Sequence, residues 1–102
     1  MKFVGLGRRA GKTVEMIKMS AASGSYVVCH SQREAHRIFR EASGMGLSIP
    51  FPITFAEFKR GEFHPVGVRG LLIDNVDLLL QDLARGAPVH AVTFTPPPGN
   101  AE

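Results

Sequence analysis

Apolar positions along the chain change period several times, and each change marks an element. Lys2 to Gly5 is a short strand-like run that gives way to a Gly-Arg loop. Val14, Ile17 and Ala21 then recur at helical spacing, which predicts strand, loop and helix in that order. Gly24 stops the helix. Tyr26 to Cys29 (Y-V-V-C) is a β-branched and apolar run of the kind buried in a parallel sheet. Ser31 and Glu34 have the spacing of a capping box, which starts a helix running to about Ala42, with Gly44 and Gly46 ending it.

Ile49 to Ile53 (I-P-F-P-I) predicts a third strand, pushed to a sheet edge because Pro50 and Pro52 cannot donate ladder hydrogen bonds. Thr54 and Glu57 make a second capping box, opening a short helix closed by Gly61. Leu71 to Asp74 is the most apolar strand candidate. Asp77 to Arg85 is the next helix and Val89 to Phe94 a final strand. The Pro96-Pro97-Pro98-Gly99-Asn100 tail continues neither kind of element and is expected to be extended. Alternation of this kind predicts an α/β domain over residues 1–95, with a mostly parallel sheet of about five strands covered on both faces and ligands bound at the carboxyl ends of the strands.

Composition narrows the class. The 102 residues are 44% apolar and 21% charged, a globular balance with room for one core. No run of about 18 apolar residues is present, and Arg8 and Arg9 interrupt the N-terminus before a signal-like segment forms, so a cytoplasmic protein off the membrane is expected. Cys29 is the only cysteine, which rules out an internal disulfide and fits a reducing compartment. It is most simply a buried strand residue, and no Cys/His metal spacing occurs. The net charge of +3 favours acidic partners without specifying one.

Candidate chemistry begins at Gly5-Leu6-Gly7-Arg8-Arg9-Ala10-Gly11-Lys12-Thr13. A triphosphate needs backbone N–H donors in a concavity, a helix N-terminus behind them, a cation and a hydroxyl for Mg²⁺. Gly7 to Gly11 would cradle the phosphates, Lys12 would reach the β and γ groups, and Thr13 would ligate Mg²⁺. The spacing departs from G-x-x-x-x-G-K-[ST], because Leu6 stands where the first glycine belongs, with Gly5 and Gly7 on either side. The plainer alternative is a glycine-rich turn that happens to precede Lys-Thr.

A second motif answers the first. Leu71-Leu72-Ile73-Asp74 is an apolar strand ending in a carboxylate, the partner that Mg²⁺ needs beside the loop hydroxyl. Asn75 then stands where a water-positioning glutamate is usual. An amide orients water but accepts no proton, so hydrolysis is expected to be slow or to take its base from elsewhere. Asp77 is a candidate base, though helix N-capping explains it more simply.

Together, G-R-R-A-G-K-T and L-L-I-D-N-V-D resemble the RecA-like ATPase core shared by helicases and the large terminase subunit of tailed phages. The resemblance spans roughly Lys2 to Thr95. It implies a three-layer P-loop NTPase fold, ATP with Mg²⁺, and a phosphate-stabilising role for Arg8 or Arg9, which are otherwise solvated loop charges. It would also place Val89 to Phe94 between the P-loop strand and the Asp74 strand, and make Thr95 the polar sensor at that strand's end. The alternative for Thr95 is a hydroxyl opening the turn before Pro96. Only four residues precede Gly5, so no upstream adenine-reading motif is expected, nor a second RecA-like domain or a nuclease domain. A lone copy is not expected to translocate along DNA, and a phage or prophage origin is an analogy from compactness.

On the helix after Ser31, Arg33, Arg37 and Arg40 fall at i, i+4 and i+7, opposite Ala35, Ile38, Phe39 and Ala42. With His30 and Ser31 this stripe is the nucleic-acid candidate, because the family's corresponding segment lies near the bound strand. A solvated amphipathic face is the plainer reading. Phe51, Phe55, Phe58 and Phe63 surround a short helix and are expected to pack in the core, while His36 and His90 carry no partner pattern. The expected function is therefore ATP binding with weak or partner-dependent hydrolysis in a DNA transaction, with a second ATPase subunit or a helicase or terminase as candidate partner. The competing reading is a P-loop-like module that docks onto nucleic acid or a helicase or terminase partner. A small-molecule kinase is disfavoured, since neither lid segment nor acceptor site is evident.

Overall fold

The computed structural model describes residues 11–63 and 69–93. Helix α1 (Gly11–Ser23) leads to strand β1 (Tyr26–Cys29), helix α2 (Gln32–Gly44), strand β2 (Ile53–Thr54), helix α3 (Phe55–Lys59), strand β3 (Leu71–Ile73) and helix α4 (Val76–Leu83). The strands form a parallel sheet in the order β2-β1-β3, with Val28 opposite both Ile53 and Ile73. A parallel neighbour requires a crossover, and α2 supplies the one between β1 and β2.

Alternation along β1 divides the core. Val27 and Cys29 face one side, where they pack with Ile17 of α1, Ala35, Ile38 and Ala42 of α2, and Ile49. Val28 faces the other, with Ile53, Phe55 and Leu79 of α4. A central strand covered on both faces cannot alternate apolar with polar residues, which is why Y-V-V-C reads as a continuous run. Burial also explains Cys29, whose thiol is pushed up to about 11, mainly by desolvation.

The helix boundaries follow local chemistry. Gly24, at φ 75°, continues the chain beyond α1 in the left-handed region and donates its N–H to Ser20 O at 2.8 Å. Ser31 caps α2 by accepting from Glu34 N, whereas the Glu34 carboxylate turns to Arg37. Thr54 and Glu57 form the full reciprocal box, with Thr54 N donating to Glu57 Oε1 at 2.8 Å and Glu57 N to Thr54 Oγ1 at 3.1 Å.

Four expectations change. The sheet has three strands among the described residues, where about five were expected. Ile49 to Ile53 contributes only its last residue to β2, because Pro50 and Pro52 offer no N–H, although Ile49 is still buried. Residues 89–93 form no strand among the described residues, despite their β propensity, and Val92 is 61% exposed. Helix α4 starts at Val76 with Asn75 as its N-cap residue, so Asp77 lies inside the first turn and is not the cap. The expected first strand, Lys2 to Gly5, and the tail from Phe94 onward lie outside the described residues. What is established is a mixed α/β arrangement with a small parallel sheet; a five-stranded RecA-like sheet is not. Among the described residues no helix is long and apolar enough to cross a membrane.

Candidate functional site

The carboxyl edge of the sheet brings Lys12 together with Asp74 and Asn75. β3 continues beside β1 through Asp74 N, which donates to Val28 O at 2.9 Å, and this places the Asp74 side chain at the end of the central strand. Lys12 lies in the first turn of α1, and its Nζ donates to Asn75 Oδ1 at 2.5 Å across 63 positions of sequence. Asn75 in turn points Nδ2 at Asp74 Oδ2, 3.5 Å away. The lysine of α1, the amide and the strand-end acid thus form one connected group.

Asp74 is 3% exposed. Its Oδ1 has no hydrogen-bond partner among the described residues. Burial pushes its carboxyl above the ordinary value, opposed first by the positive charge of Lys12, while Glu34 raises it further and Arg37 and His30 lower it. A buried carboxylate oxygen without a partner is costly unless a cation or water completes it. Thr13, half-buried beside Lys12, offers a hydroxyl one residue further into the helix. Mg²⁺ typically takes one or two protein oxygens and completes its shell with phosphate and water, and the unpartnered Asp74 Oδ1 is an oxygen of the kind it uses. Among the described residues no group of three His, Cys, Asp or Glu side chains could hold a metal alone.

Asn75 occupies the left-handed region at φ 58°, ψ 65° and makes no side-chain cap to α4. Asparagine tolerates this conformation better than most residues. Its carboxamide is therefore directed at Lys12 and Asp74 and not at the helix end, a role the D-N-V-D pattern by itself does not disclose.

The arginine stripe is only partly free. Arg37 bridges Glu34 and Glu41, the latter at 3.2 Å, and its guanidinium holds the Glu34 carboxyl below the usual range. Arg33 and Arg40 form no ion pair among the described residues. The expected run of three free cations is thus reduced to two, because i, i+3 and i, i+4 acidic neighbours neutralise the middle one. Two aromatic placements also change. Phe39, expected on the packing face, is 37% exposed, and Phe51, expected in the core, is 40% exposed. Phe55 is buried, with Phe58 and Phe63 packed against its cluster as expected.

His30 follows β1 at the same carboxyl edge, its ring 6.4 Å from that of Phe55. Both rings line an open cavity of about 490 Å³, together with Leu78, Gln81, Asp82 and Arg85. Sequence spacing carries no signal for this cavity, because it depends on how α4 lies across the strand ends. Gly7, Arg8, Arg9, Ala10 and Thr95 lie outside the described residues; of the expected nucleotide-binding and metal residues, Gly11, Lys12, Thr13 and Asp74 lie within them. Compared with protein-family models, with curated proteins and with solved structures, the chain matches none.

Proposed function

We propose that this chain binds a nucleoside triphosphate, ATP with Mg²⁺, at the carboxyl edge of its sheet, and hydrolyses it weakly or only with a partner's help. The observation that carries this reading is the meeting of Lys12, at the start of α1, with Asn75 and the buried, half-unpartnered Asp74. A helix N-terminus, a cation and a strand-end carboxylate are the parts a triphosphate site requires. Lys12 would exchange the Asn75 carbonyl for phosphate oxygens. Thr13 and Asp74 would hold Mg²⁺, which on binding neutralises phosphate charge. Asn75, released from Lys12, would orient water without removing its proton, which limits turnover. Arg8, Arg9 and Thr95 are proposed to assist at the phosphates on the resemblance alone. The same resemblance supplies the setting, a DNA transaction in the cytoplasm of a host carrying a phage or prophage.

The test is a melting scan with Mg²⁺ and ATP, with Mg²⁺ and GTP, and with Mg²⁺ alone. A ligand that binds only the native state at about 100 times its Kd adds roughly 2.7 kcal/mol of stability. A nucleotide-dependent rise in melting temperature is expected. No rise with either nucleotide at millimolar concentration rejects the reading.

A further inference from the structure

Helix α2 carries a feature that nucleotide chemistry does not use. Its buried residues Ala35, Ile38 and Ala42 define one face, and Arg33, His36, Arg40 and Phe39 fall on the opposite face and its flank. His36 is three residues after Arg33 and four before Arg40, the spacings at which helical side chains are neighbours. Phe51, arriving on the segment before β2, joins this face. Its ring lies 5.1 Å from that of His36 in an edge-to-face arrangement and 5.2 Å from that of Phe39 in a tilted one. Phe39 and Phe51 remain 37% and 40% exposed.

We infer that the exposed aromatic cluster of His36, Phe39 and Phe51, flanked by Arg33 and Arg40, is a stacking platform for single-stranded DNA. Two large aromatic rings held against one another at the surface offer π faces at little further cost in side-chain entropy, and every base presents a π face to stack on them. A bare apolar patch would serve a protein partner equally well. Here the cations decide: Arg33 and Arg40 have no carboxylate partner among the described residues, whereas Arg37 on the same helix is neutralised by Glu34 and Glu41. Positive charge is thus left uncompensated beside the rings, where a strand whose bases stack would bring its phosphates. Both interactions act on base and phosphate, so no contact to a 2′-hydroxyl is required. Duplex DNA hides its base faces and offers only phosphate to this surface.

The inference deepens the DNA part of the proposed function and rests on it, and it is independent of the triphosphate site. Fluorescence anisotropy of a labelled oligo-dT and of a labelled duplex, without nucleotide, tests it. Oligo-dT is expected to bind more tightly than duplex. Phe51→Leu, which keeps apolar bulk but removes the ring, is expected to weaken oligo-dT binding about ten-fold while leaving duplex binding unchanged, and Phe51→Tyr to retain most of it. Arg33→Gln and Arg40→Gln are each expected to flatten the salt dependence by roughly one ion. Equal oligo-dT binding by wild type and Phe51→Leu overturns the platform, and if duplex still binds through the arginines the DNA setting survives without it. No binding of either DNA at low salt overturns both, leaving the melting scan with Mg-ATP to decide the nucleotide reading separately.

Discussion

Lys12 Nζ and Asn75 Oδ1 lie 2.5 Å apart, joining the first turn of α1 to the N-cap residue that links β3 to α4. The contact fills the lysine's need for an acceptor with a neutral amide, a weaker partner than a phosphate oxygen. On the proposed reading, a bound triphosphate would displace it.

Replacing that lysine separates site from scaffold. Lys12→Ala is expected to abolish the melting shift produced by Mg-ATP while lowering the melting point of the nucleotide-free protein only slightly, since one partly buried hydrogen bond contributes about 1 kcal/mol. Thermal melts of both proteins with and without Mg-ATP check this. A wild-type shift in the mutant means that Lys12 does not contact phosphate.

Asn75 controls the expected turnover. The purified wild-type chain is expected to hydrolyse ATP slowly, and Asn75→Glu to hydrolyse it faster, because a carboxylate can take the proton that an amide cannot. Phosphate release at saturating Mg-ATP measures both. The substitution also costs stability, since glutamate is less at ease than asparagine at φ 58°. Rapid turnover by the wild type alone defeats the argument.

Burial of Asp74 gives a pH dependence whose sign follows from its raised pKa. An acid that holds its proton more tightly when folded contributes most below its unfolded pKa, and that contribution is lost as pH rises through the folded pKa. Ionising Asp74 in its buried site is therefore a net cost. Asp74→Asn is expected to melt above wild type at pH 7, with the gap closing as pH falls below the folded pKa, and to lose the Mg-ATP shift. Melts across acidic to neutral pH measure the gap, and a gap that widens toward low pH contradicts the assignment.

The core on the α1 and α2 side should be intolerant of lost volume. Ile17 is fully buried against Val27, Cys29 and Ile38. Ile17→Ala is expected to cost about 2–4 kcal/mol in urea unfolding, the ordinary range for emptying such a site. A cost under about 1 kcal/mol would show that α1 is not packed as described.

Local rules read well from sequence where the physics is local. The Thr54–Glu57 box, the stop at Gly24 and the burial of Val27, Val28 and Cys29 in Y-V-V-C each depend on a few neighbouring residues, and each is found in the structure. The parallel direction of the sheet was also legible, because strands separated by helices leave little choice. The edge position of β2 followed from its prolines, although its length did not.

Tertiary structure alone decided what depends on distant partners. Residues 89–93 have the composition of a strand, yet a strand exists only where the chain is brought alongside another strand's edge, and no local pattern decides that. Phe51 looked like core beside Phe55, but its place depends on which side of the edge strand the preceding segment reaches, and there it meets His36 and Phe39 at the surface. Arg37 was legible as a cation, whereas its neutralisation depends on the rotamers that bring Glu34 and Glu41 to it. Lys12 and Asp74 were named separately by their motifs. That Asn75 stands between them, turned by a left-handed backbone, is set by the register of β3 beside β1 and the packing of α1 against the same sheet.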